Sequence, residues 1–336
     1  LRALDRADPQ RPSFPQETVN NLDETLSRAT TLAASGRTDE ALHLIRQLAQ
    51  LGHPDALFTL ADCYWRGVGV QENLRHAREL FRAASEAGQP MAIRAWTNLL
   101  SSGIGGPRQW AESLKRLEQE SRGDRLRTMM LEVIRAMELD QNGDPLRLPP
   151  ADRVSERPDV RLFRNAFSDA ECNFLIVLAE PTYERSLVIM DGRDVPDPIR
   201  TSDGSTIHWL IEDPATHAIN RRIAALSGTS VEQGEPLHVL RYRPGQQYHP
   251  HLDWLPPPNR RVMTTLIYLN EDYEGGETAF VKTGLKVRGR KGDAIVFVSS
   301  LQDGELDPLS EHAGLPVTSG TKYLASRWIR EHRHTP

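Results

Sequence analysis

The spacing of apolar positions changes character near the middle of the chain. From about residue 22 to 140, apolar residues recur every three or four positions, as helices with one buried face require. Residues 56–65 predict one helix, with Leu57, Leu60, Ala61 and Tyr64 on one face. Residues 74–87 predict another, with Ala77, Leu80, Phe81 and Ala84 facing inward, and Gly67-Val-Gly69 supplies the turn between them. The pattern repeats. Gly52-His-Pro-Asp-Ala-Leu57 matches Gly88-Gln-Pro-Met-Ala-Ile93, and Gly67-Val-Gly69 matches Gly103-Ile-Gly105. Ala41, Leu44 and Arg46 match Ala77, Leu80 and Arg82, and all three matches share an offset of 36. One offset serving three segments marks helical-pair repeats that bury their faces by stacking on neighbours. A helix over 125–139 is expected to cap the array, and residues 1–20, rich in Pro and Gln, read as a tail.

Asp140-Gln-Asn-Gly-Asp-Pro145 stops this pattern, and Pro149-Pro150 opens a linker. Residues 160–163 then read as a strand. Ser168-Asp-Ala-Glu171 is a capping box that starts a helix to about 179, and 213–226 predicts a second helix. After Pro236 the period shortens to two. Strands are expected at 237–243, 262–269, 277–280, 294–298 and 323–330, separated by turn signals such as Gly275-Gly276 and 290–293. The expected architecture has two domains. An all-α helical-repeat solenoid spans 21–143, a linker 144–157, and a double-stranded β-helix, or jelly roll, with flanking helices spans 158–336.

A length of 336 residues suits two domains. The net charge of −5, from 41 basic and 46 acidic residues, argues against a nucleic-acid backbone binder. No apolar run reaches the length of a membrane helix, and no secretory signal is visible. A chain opening on Leu1 is expected to have been trimmed, and any targeting segment lost with the removed residues. Two distant cysteines, Cys63 and Cys172, exclude a disulfide scaffold and a Cys-rich zinc site, and make a reducing cytoplasm the expected compartment. The 36 arginines against five lysines suggest a GC-rich bacterial source and make each lysine a rarer choice.

His251-Leu-Asp253 is the first chemical signal. In a strand, residues i and i+2 share a face, so an imidazole and a carboxylate project together. His312, about 60 residues on, would complete two histidines and one carboxylate. Such a triad occupies one face of an octahedral Fe(II) and leaves positions open. His-x-Asp alone is a weak signal, and its context strengthens it. The run Tyr242-Arg-Pro-Gly245-Gln246-Gln-Tyr248-His-Pro-His251-Leu-Asp253 resembles the Y-x-x-G-Q-x-Y-x-x-H-x-D signature of prolyl 4-hydroxylase-type oxygenases. The segment from His312 to Lys322, the strands Thr265-Leu-Ile-Tyr268-Leu-Asn270 and Gly275-Gly-Glu-Thr278-Ala-Phe280, and Arg200-Thr-Ser202 are similar to that family in the same order, over about 158–331.

The resemblance implies Fe(II) on His251, Asp253 and His312, with 2-oxoglutarate and O₂ as co-substrates and ascorbate a candidate reductant. It places the co-substrate lysine at Lys322, ten residues after His312. Charge matching points the same way, because a buried carboxylate of 2-oxoglutarate needs a cation and Lys322 opens an otherwise apolar strand. Tyr242, Tyr268 and Thr278 can add neutral hydrogen bonds. The implied reaction decarboxylates 2-oxoglutarate to succinate and CO₂ and hydroxylates an unactivated C–H bond, with a peptidyl proline the favoured target. Tyr248, Arg200, Ser202 and Arg261 are implied to line a peptide groove, and Trp328 to lie near the substrate proline, with packing as its alternative. A free amino acid or small metabolite is the alternative substrate, and a non-catalytic interaction protein the alternative class. The stretch 190–200 reads as a lid or an ordinary loop. Glu311, beside His312, reads as a carboxylate supporting that ring or narrowing the groove, and His208, His217 and His238 read as structural or surface. The helical half resembles Sel1-like repeats over about 30–120, through Ala56, Leu60, Tyr64, Gly67, Gly69, Val70, Ala77, Phe81, Ala83, Ala84 and Gly88. That likeness implies a protein- or peptide-binding surface, with a pure scaffold as the alternative.

Overall fold

The computed structural model describes residues 16–190, 193–196 and 199–336. Most of the expected tail, and four residues of the expected lid at 191–192 and 197–198, lie outside the described residues. The chain divides into two compact units, Leu1–Gln109 and Trp110–Pro336. Among the described residues, no helix is long and apolar enough to cross a membrane.

The described residues of the first unit form five helices: α1 (Gln16–Ala34), α2 (Thr38–Gln50), α3 (Pro54–Arg66), α4 (Leu74–Glu86) and α5 (Pro90–Ser102). The 36-residue offset reappears in their capping chemistry. His53 and Gln89 cap α3 and α5 by accepting from the Ala56 and Ala92 amides, each with proline at the first helical position. Gly67 and Gly103 end the same helices in the left-handed conformation. Gly69 follows at φ +68, where a Cβ would stand 2.5 Å from Leu42, and Gly105 at φ +71, where it would stand 2.4 Å from the Leu74 carbonyl. Each turn therefore presses on the start of the helix 31 residues before it, and only glycine leaves room. Phe81 is fully buried between the edges of Phe58 and Trp65. The buried Arg78 guanidinium donates to the carbonyls of Leu99, Ile104 and Pro107, which fixes the turn after α5.

The second unit opens with α6 (Trp110–Glu120) and α7 (Arg125–Ala136), and α8 (Asp169–Ala179) and α9 (Pro214–Ser227) follow. The strands are β1 (Ala151–Ser155), β2 (Val160–Phe163), β3 (Glu184–Arg185), β4 (Leu187–Met190), β5 (Arg193–Pro196), β6 (Asp203–Ile207), β7 (Leu237–Tyr242) and β8 (Tyr248–His251). They continue as β9 (Arg261–Tyr268), β10 (Tyr273–Gly275), β11 (Thr278–Phe280), β12 (Lys286–Val287), β13 (Ala294–Val298), β14 (His312–Gly314), β15 (Val317–Gly320) and β16 (Lys322–Arg330). Eight strands form the large sheet in the order β1-β2-β13-β9-β16-β7-β6-β3, and four form the small sheet in the order β12-β11-β14-β8. β10 pairs with β15, and β4 pairs antiparallel with β5, so residues 193–196 of the expected lid are strand.

Alternation along β9 shows how the layers are built. Leu266 and Tyr268 face a core that also holds Phe280, Val287 and Phe297, while Ile267 faces the helices. The helical core joins Leu117, Met130 and Ile134 of α6 and α7 to Phe174, Ile219 and Ala325. The two helices read from sequence as the end of the repeat array thus pack into the core of the second unit. Ser168 and Glu171 form the expected capping box, and the Glu171 carboxylate also takes a 2.6 Å bond from the buried Arg222. The expected linker holds the edge strand β1, paired antiparallel to β2.

Candidate metal and co-substrate site

β8 and β14 are paired so that His251 faces His312 across the ladder. β8 ends at His251, so Asp253 reaches the same point from the segment after the strand, not from the strand face as the sequence predicts. His251 Nε2 stands 3.6 Å from Asp253 Oδ1, and His312 Nε2 stands 3.6 Å from Asp253 Oδ2. One ligand-type atom from each of the three residues lies within 4.8 Å of the others. On the far side of each ring Nδ1 meets a carbonyl, His249 O at 2.8 Å and Ser310 O at 3.0 Å. A carbonyl only accepts, so Nδ1 carries the proton and Nε2 turns its lone pair inward. Two imidazole lone pairs and a carboxylate then converge in a buried place, at separations too long for hydrogen bonds. That donor set fits a divalent cation.

The rings are held by stacking. Tyr248 lies on His251 with centroids 3.4 Å apart and planes 14° from parallel, and Phe297 meets His312 edge-on at 4.7 Å. Burial, and then His312, pull the His251 pKa down to about 4, which keeps the ring neutral. Burial resists ionisation of Asp253, but His312, His251 and the Thr264 hydroxyl outweigh it and hold the carboxyl below its ordinary range. Thr264, on β9, is a residue the sequence reading missed. It shares the inward face of that strand with Leu266 and Tyr268, so the alternation carried a signal for it.

Beside these groups lies a narrow cleft with apolar walls from Leu240, Leu266 and Leu324. Tyr242, Thr278 and Lys322 line it together with the three candidate ligands. β7 and β16 pair Tyr242 with Lys322. Lys322 is almost fully buried, and its Nζ donates to the Gly276 carbonyl at 2.7 Å. Burial pulls its pKa down to about 8, against the opposing pull of Glu277. A buried ammonium with one neutral partner suits a ligand carboxylate. Burial also lifts the Tyr242 phenol to about 12, so it stays a neutral donor. Tyr268 joins this group through its neighbours: its hydroxyl reaches Thr278 Oγ1 at 3.2 Å and the Val287 carbonyl at 3.3 Å, and its ring centroid lies 5.8 Å from Lys322 Nζ.

Comparison with known proteins bears on this site directly. Residues 237–330 match the model of the 2OG-Fe(II) oxygenase superfamily. The chain is 37% identical over 200 residues to prolyl 4-hydroxylase 1 of Arabidopsis thaliana, a match covering 53% of this chain and 71% of that protein. The chain belongs to the prolyl 4-hydroxylase family. It is a 2-oxoglutarate-dependent dioxygenase, whose cofactors are Fe(II), 2-oxoglutarate and O₂. Probable prolyl 4-hydroxylase 10 of the same plant is 34% identical over 208 residues, covering 54% of this chain and 72% of that one. The solved viral collagen prolyl hydroxylase of Paramecium bursaria Chlorella virus-1, in complex with 2OG, is 27% identical with a TM-score of 0.39, covering 51% of this chain and 95% of that one.

The remaining expected contacts of this prolyl 4-hydroxylase-like oxygenase are scattered. Tyr248 and Trp328 line the cleft. Arg200 bridges to Tyr248, with its guanidinium 5.6 Å from the Tyr248 ring. Ser202 is fully buried beside Tyr242. Arg261 is not among the residues lining the cleft; it makes two bonds to Glu235, at 2.5 and 2.8 Å, and its guanidinium lies 4.3 Å over the ring of the cleft-lining Trp328. The Glu311 carboxylate pairs with Lys282 at 3.5 Å, leaving Ser310 to support His312. His217 is buried against Glu212, the half-buried His238 bonds to Thr206, and His208 is exposed.

Proposed function

We propose that this oxygenase hydroxylates C4 of a prolyl residue in a peptide or protein, with release of succinate and CO₂. The observation that carries this reading is that two aromatic side chains, Tyr248 and Trp328, line the same cleft as the His251–Asp253–His312 cluster. Such walls suit a proline ring, and the named Arabidopsis relatives are prolyl 4-hydroxylases. On this reading His251, Asp253 and His312 hold Fe(II), which with O₂ supplies the oxidising chemistry. Lys322 and the Thr278 hydroxyl take the far carboxylate of 2-oxoglutarate, Tyr242 donates from the neighbouring strand, and Tyr268 orients Thr278. Leu240, Leu266 and Leu324 exclude water from the reacting end. Of the two oxygen atoms of O₂, one enters succinate and the other the C–H bond. The first unit is read as the surface that delivers the protein substrate.

The test uses ¹⁸O₂ with macromolecular and low-mass fractions of a cell extract, the enzyme, Fe(II) and 2-oxoglutarate, with His312→Ala as control. Enzyme-dependent label on a protein proline is expected. Label on a small molecule alone would overturn the peptidyl reading, and the absence of both label and succinate would overturn catalysis itself.

A further inference from the structure

Asp253 is the one candidate ligand that no strand holds in place. Both imidazoles are fixed by a backbone carbonyl behind the ring and by strand pairing, whereas Asp253 sits beyond the end of β8 on a short segment. A carboxylate has two oxygens. If both face a cation, they occupy two coordination positions, and a co-substrate that chelates through two atoms competes for the same space. Something must therefore choose the oxygen.

The choice is visible in the hydrogen bonds. Thr264 Oγ1 lies 2.6 Å from Asp253 Oδ2, and both residues are buried. The hydroxyl is the donor to this oxygen, at the short distance of a charge-assisted bond. The Trp328 indole N–H approaches the same carboxylate without completing a hydrogen bond, so Thr264 makes the defined contact. Thr264 itself cannot swing away. It lies mid-strand, paired to Phe297 of β13 on one side and Trp328 of β16 on the other, with its side chain buried. A β-branched side chain is moreover stiff at χ1.

We propose that Thr264 is a positioning residue for the metal centre: its hydroxyl engages Oδ2 so that Asp253 offers a single oxygen, Oδ1, to the cation. The rigid central strand of the large sheet thereby orients a ligand carried by a loop, and a coordination position is kept for the co-substrate. The inference rests on the reading of His251, Asp253 and His312 as metal ligands.

The experiment compares full-length wild type, Thr264→Val, Thr264→Ser and Asp253→Ala, each first checked for native circular dichroism. Fe(II) affinity is measured by anaerobic equilibrium dialysis. The visible charge-transfer absorption of the Fe(II)–2-oxoglutarate complex is recorded in parallel. Valine keeps the shape and strand preference but removes the donor, and is expected to weaken Fe(II) binding about tenfold or more and to shift or weaken the band. Serine restores the donor and is expected to bind within about threefold of wild type, so lost packing alone would not reproduce the pattern. If valine disturbs folding, Thr264→Ala replaces it. Wild-type affinity and spectrum in the donorless variants, with Asp253→Ala losing Fe(II), would overturn the role of Thr264 alone. Wild-type affinity in Asp253→Ala would overturn the ligand reading beneath it.

Discussion

Lys322 offers a quantitative test of the co-substrate pocket. Its pKa falls from 10.5 to about 8 in the folded chain because burial disfavours the ammonium. At about 1.4 kcal/mol per pH unit, holding that charge at neutral pH costs the ligand-free enzyme roughly 3 kcal/mol. The sign follows from proton binding. Below pH 8 both folded and unfolded chains hold the proton, and the full penalty applies. Between about 8 and 10.5 the unfolded chain binds more protons, so stability rises with pH across that window. Lys322→Met removes the penalty but leaves the Gly276 carbonyl without its donor, a loss of about 1 kcal/mol. The net expectation is a gain of about 2 kcal/mol. For a unit of this size, that is a melting-point rise of about 4–8 °C at pH 7. The assay is thermal unfolding of the metal-free, ligand-free enzyme at pH 7 and pH 9.5, with 2-oxoglutarate binding measured by calorimetry. The variant should melt higher at pH 7, lose much of that advantage at pH 9.5, and bind no 2-oxoglutarate. A variant that melts at or below wild type at pH 7, or binds 2-oxoglutarate normally, refutes the buried-cation argument.

Two further outcomes are expected. Gly105→Ala should destabilise the first unit by about 2 kcal/mol or more, because left-handed strain adds to a Cβ driven into the Leu74 carbonyl. Gly36→Ala, equally left-handed but with open space around it, should cost only about 1 kcal/mol, and thermal melts of the two separate strain from collision. Thr278→Val should raise the dissociation constant for 2-oxoglutarate about tenfold, whereas Tyr268→Phe should raise it less than about threefold. Equal losses would place the Tyr268 phenol directly on the co-substrate.

Where sequence and structure agree, a local physical cause operates. Residues 160–163 and 294–298 are bounded correctly as strands because short apolar runs sit between turn residues. The helix at Asp169–Ala179 starts where its capping box dictates. Lys322 is legible because a cation opens an apolar strand. What escapes has no local signature. β1 is exposed through most of its length, so it shows no alternation, and only its pairing to β2 makes it a strand. The apolar faces of α6 and α7 announce burial but not the partner, which proves to be the core holding Phe174 and Ile219. Tyr268 lies on the expected face of β9, but the room for its ring comes from Gly289, where a Cβ would lie 2.1 Å from it, and nothing local in the sequence marks that pairing. Arg261 pairs with Glu235, a partner 26 residues away that strand patterning does not reveal.

β16 has a consequence for how this enzyme can change. Lys322, Leu324, Ser326 and Trp328 line the cleft at every second position, while Ala325 lies in the helical core and the Arg327 guanidinium donates to the carbonyls of Glu235, Asn220 and Val231 behind the sheet. The strand is a ruler. Six residues of extended chain hold the lysine and the tryptophan roughly 20 Å apart along the backbone. Inserting or deleting one residue between them would turn the downstream side chains over, sending Arg327 into the cleft and Trp328 into the helical core. Co-substrate and substrate preferences can therefore drift by exchanging side chains in place, but not by changing the length of this strand. Homologues that differ in substrate are expected to vary in the loops around it and to keep the six-residue interval.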